Sequence, residues 1–544
     1  LAARWNGLPG RSDLAALVLV ATEGEEAGLG VLVPGELLGA ASVVRKLNAL
    51  LARPVVGHHV KEAMRSLLPL GVDVTGLEMD TAVAAYLLDA STGEYELSQL
   101  REQTGQLTLD IVEPGETEED LAREAAAEAC DVAAMATGFR QRLESEDMVR
   151  LHDDIETPLV RVLAKMEVAG IGIDRAELQS IANSLKASVS TLQEEVQRLA
   201  GHEFNVNSTP QLRTVLYEEL GLTPGKKTKT GFSTDARTLE SLRGAHPIIE
   251  ALLDYREVEK LRSTYGESLL AEVQADGRIH ASFGQTVART GRISSDRPNL
   301  HNIPVRSELG KQFRRAFVPA PGCTFLVADY DQVELRCIAH LSEDPELIDA
   351  MTSGSDVHRM VAAAVYGIPP EEVTHTQREF CKMVSYGLSQ RLGVPVEEAA
   401  AIMESYFGAF PRVRQYMDET VAEAKVRGAT RTQFGRVRPL PDLHSSNFRV
   451  RQAAERQAMN AGIQGLAADI FKVALVRLDR DLEQAELASR LVLQVHDEVI
   501  VEVAAGEEGA ARRLTESALT GAADLKVPLT ISMATGRSWA DAKG

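Results

Sequence analysis

The chain is poor in cysteine: its 544 residues include four, Cys130, Cys323, Cys337 and Cys381. No two form a C-x-x-C pair or a zinc-ligand spacing, which argues against a disulfide framework and suits a reducing cytosol. There is no charged-then-apolar leader and no apolar run near the ~18 residues of a membrane span, so a soluble cytoplasmic protein without membrane partners is expected. Basic charge is also scarce. With 58 Lys and Arg against 79 Asp and Glu, the formal net charge is −21, so any nucleic-acid site must be a local basic track on an acidic body. By itself this acidity suits a cytosolic enzyme of no particular kind. The length exceeds what one core holds, and ~150 residues per domain suggests three or four units.

What is present centres on Thr324-Phe-Leu-Val-Ala-Asp-Tyr-Asp-Gln-Val-Glu-Leu-Arg-Cys-Ile-Ala-His-Leu341. Phe325 to Ala328 is a short apolar run that fits a strand buried on both faces and ending at a carboxylate, Asp329. Val333, Leu335, Ile338, Ala339 and Leu341 then recur at helical spacing, so the strand should turn directly into a helix carrying Glu334 and Arg336. A buried strand-end carboxylate costs desolvation unless a cation sits beside it, and Mg²⁺ takes hard oxygen ligands. Taken alone, an Asx turn or a helix cap is the commoner reading of Asp329.

A second stretch, Leu491-Val-Leu-Gln-Val-His-Asp-Glu-Val-Ile-Val-Glu-Val503, holds two alternating β runs that meet at His496-Asp497-Glu498, the pattern of a hairpin with acids at its bend. Two buried strands would then each present an Asp. Paired carboxylates on adjacent strands are what two-metal phosphoryl transfer requires.

Asp329-Tyr-Asp-Gln-Val-Glu-Leu-Arg336 and Val495-His-Asp-Glu498 resemble motifs A and C of family-A DNA polymerases. Between them, Arg378-x-x-x-Lys382-x-x-x-Tyr386-Gly387 resembles motif B, in the family's order. The resemblance extends over nearly the whole chain and is nearest the large (Klenow-type) fragment of the bacterial DNA polymerase I type. It implies a multidomain α/β and α+β fold: a right-hand polymerase of palm, thumb and fingers beside an N-terminal RNase H-like 3′-5′ exonuclease-type domain. The division it implies is 1–147 for the exonuclease-like domain, 148–265 for linker helices and thumb, 266–345 and 451–544 for the two parts of the palm, and 346–450 for the fingers.

Residues 1–147 read as α/β, with strands at Leu14 to Ala21 and Leu29 to Val33, a helix from Val43 to Leu51 and another strand beginning at Pro54. In the family such a domain holds its metals with a D-x-E pair and further Asp residues. Here no Asp or Glu precedes Asp13. Gly57-His-His-Val-Lys-Glu-Ala63 resembles the second exonuclease motif with Ala63 at its Asp, and Ala125-Ala-Ala-Glu-Ala-Cys-Asp-Val132 the third with Ala125 and Ala129 at its Tyr and Asp. Asp80 alone remains, so the fold is expected without its chemistry. The acidic run from Glu113 to Asp120 reads as a solvated loop and helix N-terminus.

A charged helical stretch from Asp153 to Leu199, interrupted at Gly170-Ile-Gly-Ile-Asp174, leads to Gly225-Lys-Lys-Thr-Lys-Thr-Gly231. Lys226, Lys227 and Lys229 suit a loop that binds successive phosphates, or one that is merely solvated; the resemblance places them in a thumb gripping the primer-template minor groove. Thr290-Gly-Arg292 and Pro298-Asn-Leu-His-Asn-Ile-Pro304 fit a turn-rich sheet edge. By the resemblance, Arg292 reads the minor groove at the primer end, and Asn299 and Asn302 line the duplex. Arg297 stands where the family more often has a small or acidic residue. Arg431, Arg436, Arg438, Arg449, Arg451 and Arg456, against only Asp442 and Glu455, form the clearest basic track. Arg456, Asn460 and Gln464 match a family segment that approaches the nascent base pair, although Asn and Gln on a solvent-facing helix would look the same.

Thr374 with Gln377 three residues on resembles a capping box. Arg378, Lys382 and Tyr386, spaced by four, then share one helix face, which fits either a salt-bridged surface or a clasp for a triphosphate. The resemblance favours the clasp: Lys382 holds the phosphates and protonates the leaving pyrophosphate, and Arg378 meets the γ-phosphate. Tyr386 in place of Phe implies weak rejection of dideoxynucleotides, and Glu334, with Gln332 nearby, lies below the sugar and rejects a 2′-hydroxyl. After Leu388 the chain runs directly to Ser389-Gln-Arg-Leu-Gly393 and lacks the family's further helical turns with a second Tyr-Gly. This reads as a true deletion or as residues left out of the sequence; the second fits better, because a deletion would damage the template-side end of the helix.

The expected activity is DNA-dependent DNA polymerisation without proofreading. Asp329 and Asp497 would bind two Mg²⁺ ions, with Mn²⁺ able to substitute, Glu498 assisting and His496 near the primer terminus. Primer-template DNA and deoxynucleoside triphosphates are the expected partners of a monomer at the nucleoid. The alternative is a primer-template-binding scaffold whose polymerase site is impaired by the short helix. A nuclease is disfavoured by the missing carboxylates.

Overall fold

The computed structural model describes residues 1–22, 27–104, 118–225, 227–228, 231–303, 308–386 and 396–543. Lys226, Lys229, most of the acidic run before Asp120 and the shortened segment after Tyr386 lie outside the described residues, and of Lys382 and Tyr386 only the helical backbone is described.

The apolar run around Phe325 forms the strand Thr324–Tyr330, paired antiparallel on one side with Glu498–Val503 and on the other with Ile531–Gly536; Arg490–Val495 completes the four-stranded sheet beyond Glu498–Val503. Phe325, Leu326, Val327 and Ala328 are buried, as is every residue of Glu498–Val503, because helices cover the sheet and leave neither strand an open face. The strand runs past its expected end at Asp329 because Tyr330 still pairs with Ile531. Gln332 then takes a left-handed conformation (φ 56°), and the helix Val333–Ser342 begins directly, as its apolar spacing predicts.

Across the sheet packs the 37-residue helix Phe448–Gln484, opened by the Asn447 side chain accepting from Arg449 N–H. Two of its glycines permit close approach that no side chain would allow. A Cβ on Gly462 would lie 2.6 Å from the Tyr416 hydroxyl, and one on Gly465 2.5 Å from Thr432 Cγ2, which outweighs the ~1 kcal/mol that mid-helix glycine costs.

The N-terminal region is α/β, as read. Ala2–Trp5, Leu14–Val20 and Gly30–Pro34 form an antiparallel sheet, and Val55–Gly57 pairs in parallel with Leu77–Asp80. Its own core, including Leu17, Leu47, Val60 and Met64, is closed by Val160 and Ala164 of the helix Thr157–Ala169. After the Gly170 interruption, Asp174 caps the helix Arg175–Ala200, accepting from the Ala176 and Glu177 N–H groups at 3.0 Å each. That helix joins Pro247–Leu261 around a third core with Val196, Leu252 and Tyr255. The described residues between Val333 and Arg427 are almost wholly helical. The capping box is present there: Thr374 N–H donates to Gln377 Oε1 at 2.9 Å, and Gln377 N–H to Thr374 Oγ1 at 3.3 Å.

The basic track needs one correction. Arg436 is only 4% exposed and points inward. It donates to Asp469 at 2.7 Å and to Glu156, which also accepts from Lys472 at 2.7 Å and from Gln285 at 2.8 Å. A guanidinium at a sequence position that reads as surface is buried because two carboxylates from distant segments compensate its desolvation.

Candidate active site

Asp329 and Glu498 are cross-strand partners, and the two-residue turn His496-Asp497 links Arg490–Val495 to Glu498–Val503. Tyr330 N–H donates to the Asp497 carbonyl at 3.3 Å, which ties the hairpin bend to the end of the central strand. His496 reaches the bend in a left-handed conformation (φ 55°). The two candidate carboxylates therefore meet at one end of the sheet, as the pairing of their strands requires.

Asp497 is in an unfavourable setting for a lone anion. Burial pushes its carboxyl up to about 6; Arg292 opposes that shift, while Glu334 and Asp329 add to it. Among the described residues no donor is hydrogen-bonded to its side chain. Among the described residues no three His, Cys, Asp or Glu side chains are gathered as a metal site; the buried, undonated Asp497, whose charge Asp329 and Glu334 oppose, is the carboxylate that a hard divalent cation would match.

Glu334 lies in the first turn of Val333–Ser342 and accepts from Arg292 at 2.5 Å. Arg336 of the same motif points away from the carboxylates. Its guanidinium donates to the carbonyls of Asp331 and Pro528 and to Thr530 Oγ1 at 2.6–2.8 Å, fastening the strand-to-helix turn to the C-terminal segment. Gln332 and His496 flank the two turns. Asn299 and Asn302 are exposed, and His301, between them in sequence, is held against the Gln494 carbonyl at 2.9 Å.

Arg456, Asn460 and Gln464 are half-buried on Phe448–Gln484, roughly one to four turns before the buried Asp469 and Lys472. A cavity of about 20 Å³ under the hairpin is lined by Arg292, Lys472, Gln494, His496 and Asp497. Arg378 stands on His375–Tyr386 and donates to Asp356 Oδ2 at 2.5 Å, so in this state it is paired with protein rather than free for an anion. Lys227 lies away from this group, in the short strand Lys227–Thr228, 5.9 Å from the centre of the Phe232 ring.

Two residues that no motif identifies also reach the carboxylates. Trp539 Nε1–H donates to Glu498 Oε1 at 2.7 Å, and Lys543 touches both Glu498 and Asp329. The only sequence signal is a tryptophan in a chain that has two.

The three alanines compared above with exonuclease motif positions are packed in the core. Ala63, Ala125 and Ala129 are at most 3% exposed, the last two against Ala2 and Val18. Asp80 accepts from the backbone N–H groups of His59, Val60 and Ala82 at 2.7–3.2 Å and so caps two helices. The adjacent cleft of about 770 Å³ holds carboxylates already matched by cations, Glu128 with Arg4 at 2.7 Å and Glu167 with Arg65 at 2.8 Å.

The family model described as DNA polymerase family A matches residues 175–541. DNA polymerase I of Mycobacterium tuberculosis is 40% identical over 556 residues, covering 98% of this chain and 61% of that protein. The thermostable DNA polymerase I of Thermus thermophilus is 42% identical over 516 residues, covering 91% and 60%. DNA polymerase I of Bacillus subtilis is 38% identical over 506 residues, covering 89% and 57%. The chain thus spans about three-fifths of the length of these relatives. Among solved structures, the POL domain of Pol1 from M. smegmatis, in complex with DNA primer-template and dNTP, superposes with a TM-score of 0.90 at 39% identity, over 98% of this chain and 94% of that one. With two carboxylate-bearing strands joined as its motifs require and a family match over most of its length, this chain belongs to DNA polymerase family A.

Proposed function

We propose that this protein is a DNA-directed DNA polymerase that extends a primer 3′-hydroxyl, and that it does not proofread. The observation that carries the reading is that Asp329, on the central strand, and Asp497, in the turn that leads into the strand paired with it, come to the same end of the sheet, with the Asp497 carboxylate lacking a donor among the described residues. These two side chains would hold two divalent cations, Mg²⁺ or its substitute Mn²⁺; such ions supply a more acidic primer hydroxyl and neutralise charge at the phosphate.

In the overall reaction the 3′-oxygen bonds to the α-phosphorus of a deoxynucleoside triphosphate, the α–β bridge bond breaks, and pyrophosphate leaves. Arg378 and Lys382 bind the triphosphate, which requires Arg378 to leave Asp356, and Lys382 donates the proton the leaving group takes up. Tyr386 packs beside the sugar and base. Glu334, braced by Arg292 and flanked by Gln332, leaves no room for a 2′-hydroxyl. Arg292, Asn299, Asn302, Arg456, Asn460, Gln464 and the thumb lysines Lys226, Lys227 and Lys229 contact primer-template DNA. His496 faces the primer end, and Glu498 supports Asp329.

The domain division is that of a right hand, with thumb to 265, palm in 266–345 and 451–544 and fingers between them, beside an exonuclease-like domain in 1–147. Alanines at Ala63, Ala125 and Ala129, and an Asp80 engaged in capping, support the absence of proofreading. No described helix is long and apolar enough to cross a membrane, and we place the protein at the nucleoid as a monomer.

The test is extension of a labelled primer-template with Mg²⁺ and four deoxynucleotides, run beside Asp497→Asn. Extension that the variant loses supports the reading. Tight binding of DNA without extension by either protein would make the chain a scaffold instead.

A further inference from the structure

Lys543 belongs to none of the polymerase motifs, yet its ammonium lies 3.3 Å from Asp329 Oδ2 and donates to Glu498 Oε2. It arrives there on the short helix Trp539–Lys543, whose start is firmly held. Trp539 N–H donates to the Phe317 carbonyl at 3.0 Å, its ring meets Phe317 edge-to-face at 5.4 Å, and the Arg314 guanidinium sits 5.0 Å from the ring centre. Both oxygens of Glu498 are therefore engaged from the same helix, one by the indole N–H and one by the ammonium.

The consequences for the three carboxylates differ. Glu498 is 2% exposed and fully satisfied, so it has little reason to bind anything else. Asp329 is 39% exposed and shares one oxygen with Lys543. Asp497 has no donor among the described residues. An incoming cation thus finds one undonated carboxylate and one that a resident ammonium must partly release.

We infer that Lys543 is a positioning residue acting through Asp329 and Glu498: it is the resident counter-cation of the carboxylate cluster, and a divalent cation must displace it from Asp329. This rests on the reading of Asp329 and Asp497 as cation ligands. Two roles follow from the geometry. Before a divalent cation binds, the ammonium offsets repulsion between Asp329 and Glu498. After binding, Glu498 retains the ammonium a few ångströms away, where its charge opposes the divalent ion and keeps affinity moderate. A purely structural Lys543, needed only to hold Glu498 in place, would have the opposite effect on its removal: a loosened site that binds cations less well.

The experiment is Mn²⁺ titration of the full chain, without DNA or nucleotide, followed by the electron paramagnetic resonance signal of free Mn²⁺. Lys543→Ala and Lys543→Gln should each bind Mn²⁺ on the order of tenfold more tightly than the parent at low ionic strength. The difference should shrink with added salt as the charge is screened. Lys543→Arg, which keeps the charge, should stay near the parent. Unchanged or weaker binding by both neutral variants, with thermal midpoints near that of the parent, overturns the inference; so does tight binding by Lys543→Arg. If Lys543→Ala unfolds, Lys543→Gln, which can still donate to Glu498, decides alone. Failure of the underlying reading is seen separately: Asp497→Asn would then bind Mn²⁺ as the parent does.

Discussion

Arg292 donates to Glu334 at 2.5 Å, a pair that links the turn at Gly291 to the first turn of the helix behind the central strand. The turn can sit this close because Gly291 has φ 85° and no side chain; a Cβ there would lie 2.6 Å from Arg436 Nε. Glu334 is therefore held from one side by a residue whose own position depends on a buried arginine.

If the Glu334 carboxylate excludes a sugar 2′-hydroxyl, Glu334→Ala should raise ribonucleotide incorporation relative to deoxynucleotide by on the order of tenfold or more. Single-nucleotide extension with each substrate measures the ratio. An unchanged ratio would remove Glu334 from sugar selection.

Asp497 sets a pH dependence whose sign can be worked out. Its carboxyl is raised from 3.8 to about 6, chiefly by burial, so the folded state holds that proton more tightly than the unfolded chain does. Its stabilising contribution is complete below 3.8 and is lost as pH rises through about 6. At pH ~8 in chelator, Asp497→Asn should stabilise the protein by about 3 kcal/mol, and near pH ~4 it should give little gain. Urea titrations at the two pH values check both halves. A gain of equal size at each pH would mean that charge burial is not the cause.

Asp80 should matter for stability and not for chemistry. Its carboxylate satisfies three N–H groups at the starts of two helices, so Asp80→Ala should cost about 1–3 kcal/mol. Removal of a mismatched 3′ nucleotide should stay at the blank rate in parent and variant alike. Excision above the blank that Asp80→Ala abolishes would restore an active exonuclease.

Arg436→Met should be the most damaging of these substitutions. It leaves Asp469 and Glu156 buried with too few donors; burial alone would raise the Glu156 carboxyl, but Lys472 and Arg436 together hold it at about 2. A loss of about 3–5 kcal/mol is expected in denaturant unfolding. A loss below ~1 kcal/mol would mean that Lys472 on Glu156 and Thr432, whose hydroxyl donates to Asp469 Oδ2 at 2.8 Å, compensate.

Some of this architecture is legible in the chain. Phe325 to Ala328 reads as a doubly covered strand because the run has no polar alternation. Glu498–Val503 does alternate, which by itself fits a strand with one open face; its complete burial follows only from the helices and neighbouring strands packed around it. The capping box at Thr374 is local, closing within three residues, so spacing suffices to find it. That Ala63, Ala125 and Ala129 carry no carboxylate is likewise a matter of residue identity.

Residue order and local chemistry thus determined the two carboxylate-bearing strands, the helix start at Thr374 and the alanines at Ala63, Ala125 and Ala129. Only the tertiary structure decided that Arg436 turns inward to Glu156, 280 residues away, that Asp80 caps helices, and that Lys543 reaches Asp329 across 214 residues. The reason is physical. Hydrophobic periodicity and capping depend on neighbours a few bonds apart, whereas the partner that compensates a buried charge is chosen by packing between segments that share no local pattern.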